Sequence, residues 1–458
     1  MKADTTKVVN SETIKVAAGQ EGPAFQRRPC RRFRQEVPGV RVKLPYGRTG
    51  VETTLPDRQT TVVEPLHVPG VDDPLKLLCE SLREPVHGKT LRDTVTHGQT
   101  VAVAVCGNAP AEPQLLMVQA VMAELADKVV PADVTVVVAG GRKDGRGLDA
   151  FAHRFSKMTP CPRVVYHDAD DAEKLIWLGE HGRLVPVWLN RDWFESDIRI
   201  TAGVVEPHAF AGFSGSPRLV APGLVGAQTA ISLHSPARVG HPAATWGNIR
   251  GNPVHEDMRA VVAAVGNVDF ALDVLLNRDR EIIVSFGGSL FHVHAEACRT
   301  AHELALCTVR GRYEVVVTSN MGYPGDRSLY ECIPALVAAE SVTKPGGTVV
   351  LVAECGDDIA GAGSSDILLG TKTADLSNRL QAHLTSDEGS AQALTKILSK
   401  VHVIVYSRHL DGGALAGIGV GHSSDVNSTI SRLVMEAGPT ARVCVLPEGG
   451  RTIPYRVG

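Results

Sequence analysis

The chain has 458 residues, 43% of them hydrophobic, and a formal net charge of −3. That length supports two or three domains with sizeable cores, and the composition excludes a disordered chain. A balance so close to neutral also lacks the basic excess of a nucleic-acid binder, so small-molecule chemistry is the class that remains and nucleic acid is not an expected partner. Nine cysteines are scattered without a C-x-x-C pair, which reads as reduced thiols in a cytoplasmic protein. No apolar run approaches the ~18 residues needed to span a bilayer, and the N-terminus lacks the apolar core of a secretory signal, so no membrane partner is expected.

In chain order, the first feature is a basic run, "QRRPCRRFRQ", at 26–35. Its Gly/Pro/polar surroundings predict a solvated flexible extension over residues 1–40. Apolar, β-branched runs follow: "TVAVAVCGN" (100–108), "DVTVVVAGG" (133–141), "DIRITAGVV" (197–205), "YEVVVTSN" (313–320), "GTVVLVAEC" (347–355), "KVHVIVYS" (400–407) and "ARVCVLPEG" (441–449). Near-continuous hydrophobic strands separated by helical segments predict largely parallel sheets covered on both faces, an α/β fold. The spacing in "FHVHAEACRTAHELALCTV" (291–309) predicts a helix between two groups of strands. The expectation is therefore two α/β domains, 41–290 and 291–458, with a ligand cleft between them.

In such sheets ligands sit at the carboxyl ends of the strands, so the residues after each apolar run carry the interest. After "ITAGVV" comes "EPHAFAGFSGSPR" (206–218), with His208 before the turn and His234 beyond it. In the turn formed by Ser214, Gly215 and Ser216, glycine permits close backbone approach, Ser216 reads as a helix N-cap and Pro217 as the first helical residue. Such a turn can present amides to a phosphate.

Taken together, "LPYGRTGVETTLPD" (44–57), "EPHAFAGFSG", "APG", "GNPVHED" (251–257), "NMGYPGDRSLY" (320–330) and "LPEGGRTIP" (446–454) resemble the nickel-dependent lactate racemases that use a nickel-pincer nucleotide, the LarA-like family. The resemblance covers nearly the whole chain after the first forty residues. It implies an isomerase, a racemase or epimerase, with His208 as acid–base catalyst beside the substrate carbon and His234 as a nickel ligand. Neutral imidazole suits both roles.

The chain also departs from the family pattern. Where the family carries the lysine that tethers its cofactor, this chain has Arg218, so the resemblance implies a nickel-pincer nucleotide held noncovalently, with Arg218 pairing an anionic group. The second acid–base histidine is matched by Arg142, with Lys143 beside it, and the Asp-x-Thr-Arg loop by "CGNAP" around Cys106 and Asn108, the latter an expected cofactor contact. The Gln and Lys that hold the substrate carboxylate are matched by Glu331 and Pro334. Glu331 with Tyr330 is then the expected substrate wall, repelling a bare carboxylate, so the implied substrate is a 2-hydroxy acid or sugar-derived molecule other than lactate.

His255, His292 and His294 read as packing residues, and Asp326 as a residue that shapes the cleft loop. Three classes stand side by side: a divergent nickel-pincer racemase or epimerase, a cofactor-independent enzyme on the same scaffold doing proton-transfer, elimination or hydrolytic chemistry, and a noncatalytic nucleotide- or cofactor-binding protein. Assembly as a homo-oligomer is left open.

Overall fold

The computed structural model describes residues 39–107, 109–140, 153–155, 157–266, 268–359 and 388–457. Two six-stranded sheets organise them. In the first the strand order is Ile282–Gly288, Phe270–Leu276, Ile198–Val204, Val101–Cys106, Val134–Ala139, Arg163–Tyr166. All neighbours are parallel except Phe270–Leu276 and Ile282–Gly288. In the second it is Gly421–Ser423, His402–Tyr406, Thr343–Val352, Tyr313–Ser319, Val443–Leu446, Thr60–Val62, all parallel. The α/β expectation is met, and the reason is visible within single strands. Val101, Val103 and Val105 enter one hydrophobic cluster while Ala102 and Ala104 enter another. Successive side chains point to opposite faces, so a strand buried on both must be apolar throughout.

Each sheet reverses its strand order at one point. In the first, the chain leaves Val101–Cys106 toward Val134–Ala139 and later returns to place Ile198–Val204 on the other side. In the second, Tyr313–Ser319 and Val443–Leu446 flank the equivalent point. The crevices beyond the carboxyl ends of these pairs are where open α/β sheets bind ligands.

The sheets divide the chain differently from the expected boundary at 290/291. Thr60–Val62 joins the second sheet beside Val443–Leu446, and the hairpin of Val40–Leu44 and Val51–Leu55 packs its Val42, Leu44 and Leu55 with Val315, Val317, Ile430 and Leu433. Three residues of strand are too few to carry a readable period. The helix Leu290–Ala305 forms as predicted, burying Leu290, Val293, His294, Ala297, Cys298 and Ala301 along one stripe, but it packs on Phe270–Leu276 and Ile282–Gly288 of the first sheet. It stops at Ala305, and "LCTVR" (306–310) becomes a strand parallel to Ile453–Val457. An antiparallel hairpin of Leu175–His181 and Val185–Asn190 was not anticipated. Among the described residues there is no disulfide, and no helix is long and apolar enough to cross a membrane.

Candidate active site

The site grows from the end of the Ile198–Val204 strand. Beyond it the chain folds back on itself, pairing Pro207–His208 with Gly212–Phe213. Gly212 has φ of +84°, and a Cβ there would meet Asn248 O at 2.4 Å, so the loop closes only with glycine at this position. The Ser214 hydroxyl donates to Val204 O (2.9 Å) and accepts from Glu206 N (2.8 Å), locking the base of the loop. Asn252 holds its tip: Nδ2 donates to Phe210 O (2.9 Å), while Oδ1 accepts from Val254 N and caps the helix Pro253–Ala264. The "GNPVHED" stretch is thus the strut of the histidine loop.

His208 Nδ1 accepts from the backbone N–H of Ala211 (3.1 Å) and faces that of Phe210 at 3.4 Å. With Nδ1 occupied as an acceptor, the neutral ring carries its proton on Nε2. Burial, and then the charge of Arg218 and the neighbouring His234, push the His208 pKa well below its ordinary value, so the ring stays neutral. The expectation of a freely exchanging acid–base group changes accordingly. A base acting through Nε2 would first have to move its proton to Nδ1, against two backbone N–H groups. In this state the ring can donate through Nε2–H, as a neutral histidine does when it polarises a carbonyl.

The Phe210 ring meets His208 edge-on with centroids 4.6 Å apart, and His234 at 5.2 Å. One aromatic ring therefore joins the two histidines. His234 closes the helix Ala227–Leu233, and burial with the nearby Arg218 lowers its pKa to about 3. One ring nitrogen bonds the Ala230 backbone, which opposes that fall, and the other keeps a neutral lone pair of the kind a late first-row metal takes. No group of three or more His, Cys, Asp or Glu side chains converges among the described residues, so a metal at His234 would need its other donors from a bound cofactor.

The Ser214–Ser216 turn is built otherwise than expected. Gly215, at φ of +114°, is the N-cap, and the helix runs Ser216–Val220. The Ser216 N–H and hydroxyl both donate to Oδ1 of Asp273, at 2.9 and 2.7 Å, in the interior of the first sheet. Burial raises Asp273 to about 6 despite these two bonds. With the Ser214 hydroxyl also spent on backbone, neither serine side chain is free to hold a cofactor. Ser216 fixes the helix that carries Arg218, and Ser214 the base of the loop before it. Asp273 was missed in the sequence, although a carboxylate inside the apolar run "FALDVLL" (270–276) was the available signal.

Arg218 is half-buried, and burial lowers its pKa to about 10, with Cys106 at the end of Val101–Cys106 acting in the opposite sense. Cys106, His208 and Arg218 thus stand together at the reversal point of the first sheet. Residues of both units line two cavities beside the histidine loop. Val205, Glu206 and Pro207 line one cavity with Glu448 and Arg451, while Ala209 and Phe210 line another with Val337, Glu340 and Lys396. Glu331 does not present a bare charge: Oε1 accepts from Arg327 at 2.5 Å. The carboxylate expected to repel a substrate is thus paired within its own helical turn. Tyr330 is partly buried against the core, and its N–H donates to Ile359 O (3.0 Å). Asp326 braces the cleft loop as anticipated, accepting from Gly47 N (2.7 Å) and Glu354 N (3.0 Å). Arg142, Lys143 and Asn108 lie outside the described residues.

The histidines read as packing residues divide. His255 and His294 are buried with rings 5.8 Å apart, whereas His292 is exposed and stacks on His87.

Residues 46–247 match the lactate racemase N-terminal domain, and residues 310–453 the lactate racemase C-terminal domain. The chain belongs to the lactate racemase family. The expectation of an enzyme in a family of isomerases is met. Lactate racemase from Thermoanaerobacterium thermosaccharolyticum is 24% identical over 417 residues, covering 89% of this chain and 97% of that protein. Lactate racemase from Lactiplantibacillus plantarum is 24% identical over 376 residues, covering 81% and 88%. The solved apoprotein of the Thermoanaerobacterium enzyme shares the fold with a TM-score of 0.83 at 23% identity, over 91% of this chain and all of that one. A protein from Thermotoga maritima of known structure matches at 0.66 and 14%, over 86% of this chain and all of that one. Within this family, the histidine loop, the turn after it and the reversal point of the first sheet all fall inside the matched N-terminal domain.

Proposed function

We propose that this chain is a racemase or epimerase acting on a hydroxyl-bearing carbon of a small 2-hydroxy acid or sugar-derived substrate other than lactate, in the cleft between its two α/β units. One observation carries the reading: within a family frame that spans both units, His208 and His234 are gathered around one aromatic ring at the reversal point of the first sheet. His208 Nε2–H donates to the reacting oxygen and stabilises the negative charge that develops there. Phe210 and the apolar wall around it keep water from that oxygen.

The residues fit a nickel-pincer nucleotide held without a covalent tether. His234 offers a neutral imidazole oriented by its bond with the Ala230 backbone, and Arg218 offers a fixed cation in place of a tethering lysine. Bound there, the group supplies acceptance and return of hydride at the substrate carbon. Glu331, tied to Arg327, and Pro334, which has no donor, give that wall no grip on a small carboxylate, which is the basis for excluding lactate.

The test is to co-express the chain with cofactor-making enzymes, measure nickel and intact mass, and follow stereochemical interconversion of enantiopure 2-hydroxy acids and sugar acids by chiral separation. The expected result is stoichiometric nickel without a covalent adduct, interconversion of at least one substrate, and an activity loss of about 10²–10³-fold in His208→Ala from removal of one preorganised donor. Unchanged turnover in His208→Ala overturns the assignment. Arg218 at the tether position favours one second reading, a cofactor-independent enzyme on the same scaffold, and full activity in metal-free protein would establish it.

A further inference from the structure

Of the two cavities beside the histidine loop, the one bounded by Phe210 has a volume of about 270 Å³ and the other about 50 Å³. Neither His208 nor His234 lines the larger one; Phe210, whose ring meets both histidines, is one of its walls. The other walls come from residues 239–245 of the first unit and, in the second, from the helices Ile333–Val342 and Glu388–Leu398. Gln392 Nε2 donates to Pro236 O at 2.7 Å and ties the last of these helices to the first unit. Gly240 leaves room for that bond, since a Cβ there would lie 2.7 Å from Pro236 O and 3.3 Å from Gln392 Nε2. The space exceeds the roughly 150 Å³ that suffices for benzene in an apolar cavity.

The lining specifies what would fill it. Phe210, Val239, Val337, Ala393 and Ile397 make the body apolar. The charged lining residues, among those described, are Glu340, Lys396 and Lys400, two cations to one anion. Lys400 Nζ pairs with Glu340 Oε1 at 3.0 Å, which leaves Lys396 as the uncompensated cation; its Nζ reaches His241 O at 3.4 Å and has no ion-pair partner among the described residues. Lys396 is three residues beyond Ala393 and four before Lys400, so ammonium and apolar surface belong to one helix face. One negative charge on an apolar body matches this arrangement. A phosphate monoester would bring a second charge with no partner, and a neutral hydrocarbon would desolvate the ammonium without compensation.

We propose that this cavity binds a small monocarboxylate with an aromatic or aliphatic body, the carboxylate on Lys396 and the body against Phe210, Val337 and Ile397, at a site distinct from the reaction centre at His208. The ligand needs no hydroxyl-bearing carbon, and because its walls belong to both units its binding holds them together.

Calorimetric titration of the full-length chain with 3-phenylpropionate, with its neutral amide 3-phenylpropanamide and with acetate tests the assignment without turnover. The first should bind more tightly than the other two, since the amide lacks the charge and acetate the body, and it should raise the melting temperature as its concentration rises. Lys396→Gln should weaken 3-phenylpropionate by about tenfold to a hundredfold, the worth of a hydrogen bond to a charged group, and leave the amide unchanged. Val337→Phe, which fills the cavity and keeps its charges, should weaken both phenyl-bearing probes; should it fail to fold, Lys396→Gln alone decides. Arg218→Gln, which removes a cation of the reaction centre, should bind 3-phenylpropionate as the parent does. No binding of 3-phenylpropionate, equal affinity for the three probes, undiminished binding in Lys396→Gln, or loss of binding in Arg218→Gln would each overturn the proposal.

Discussion

Acid should destabilise this fold well before its carboxylates titrate, and the pair His255 and His294 contributes to this beside the likewise depressed His208 and His234. Both are buried, and burial lowers them from the ordinary 6.5 to about 4 and about 3, respectively; Arg259 acts in the same direction on each, while the bond from His294 Nε2 to Ser214 O (2.9 Å) opposes the fall for His294. A base whose folded pKa is depressed contributes stability that is complete above the unfolded value and is lost as pH falls below it. At pH 5 the unfolded imidazoles are charged and the folded ones are not, so each costs about 1.5 × 1.36, or about 2 kcal/mol, together about 4 kcal/mol. Asp273, raised to about 6, works the other way: the folded state takes up its proton first and regains about 1.4 kcal/mol at pH 5. The histidines win by roughly 2–3 kcal/mol, a large share of the ~5–15 kcal/mol typical of folded domains. The assay is urea unfolding of the parent and His294→Gln at steps from pH 7.5 to pH 5. Glutamine keeps a donor for Ser214 O, so the variant should lose up to ~1.36 kcal/mol less per pH unit below pH 6 than the parent. Parallel pH profiles for the two proteins, or a parent whose stability rises on acidification, would refute the reasoning.

Two further substitutions probe the supports of the site. Gly203→Ala places a Cβ 2.2 Å from Asp273 Oδ1 and 2.7 Å from Ser216 N, so the buried carboxylate and a helix terminus must both shift; a loss of about 1–3 kcal/mol in thermal or urea unfolding is expected, and an unchanged midpoint would show that the turn yields freely. Asn252→Ala removes the cap of Pro253–Ala264 and the donor to Phe210 O at once, and should cost about 1–2 kcal/mol together with a fall in activity that the stability loss alone does not explain; full activity at temperatures well below unfolding would mean the loop holds its shape without the strut.

Much of the fold was legible because its strands are buried on both faces. A run such as "VAVAVC" has to be apolar at every position, and that density is readable without neighbours. The same logic explains the omissions. Thr60–Val62 is a three-residue strand supported by the long-range pairing of Val443 with Thr60, and in the hairpin of Leu175–His181 and Val185–Asn190 the first strand mixes apolar and polar residues, with Trp177 and Glu180 exposed. Neither produces a local pattern stronger than that of a loop.

At the site, sequence could name His208 and His234 but not the state of either ring. What fixes the His208 tautomer is the N–H of Ala211, three residues on, and that contact exists only because Gly212 turns the chain back and Asn252 holds Phe210 O from another element. The same geometry bears on which of two chemical roles the proposed function gives this residue. Read as a side chain, a histidine beside a reacting carbon is an acid–base group; read with its backbone contacts, this one is a neutral donor beside an unpaired guanidinium. If His208 acts as that donor, as proposed, proton removal from the substrate hydroxyl falls to a different group; the resemblance matches the family's second histidine to Arg142 with Lys143 beside it, of which only lysine can release its proton near neutrality, and then only where burial lowers its pKa.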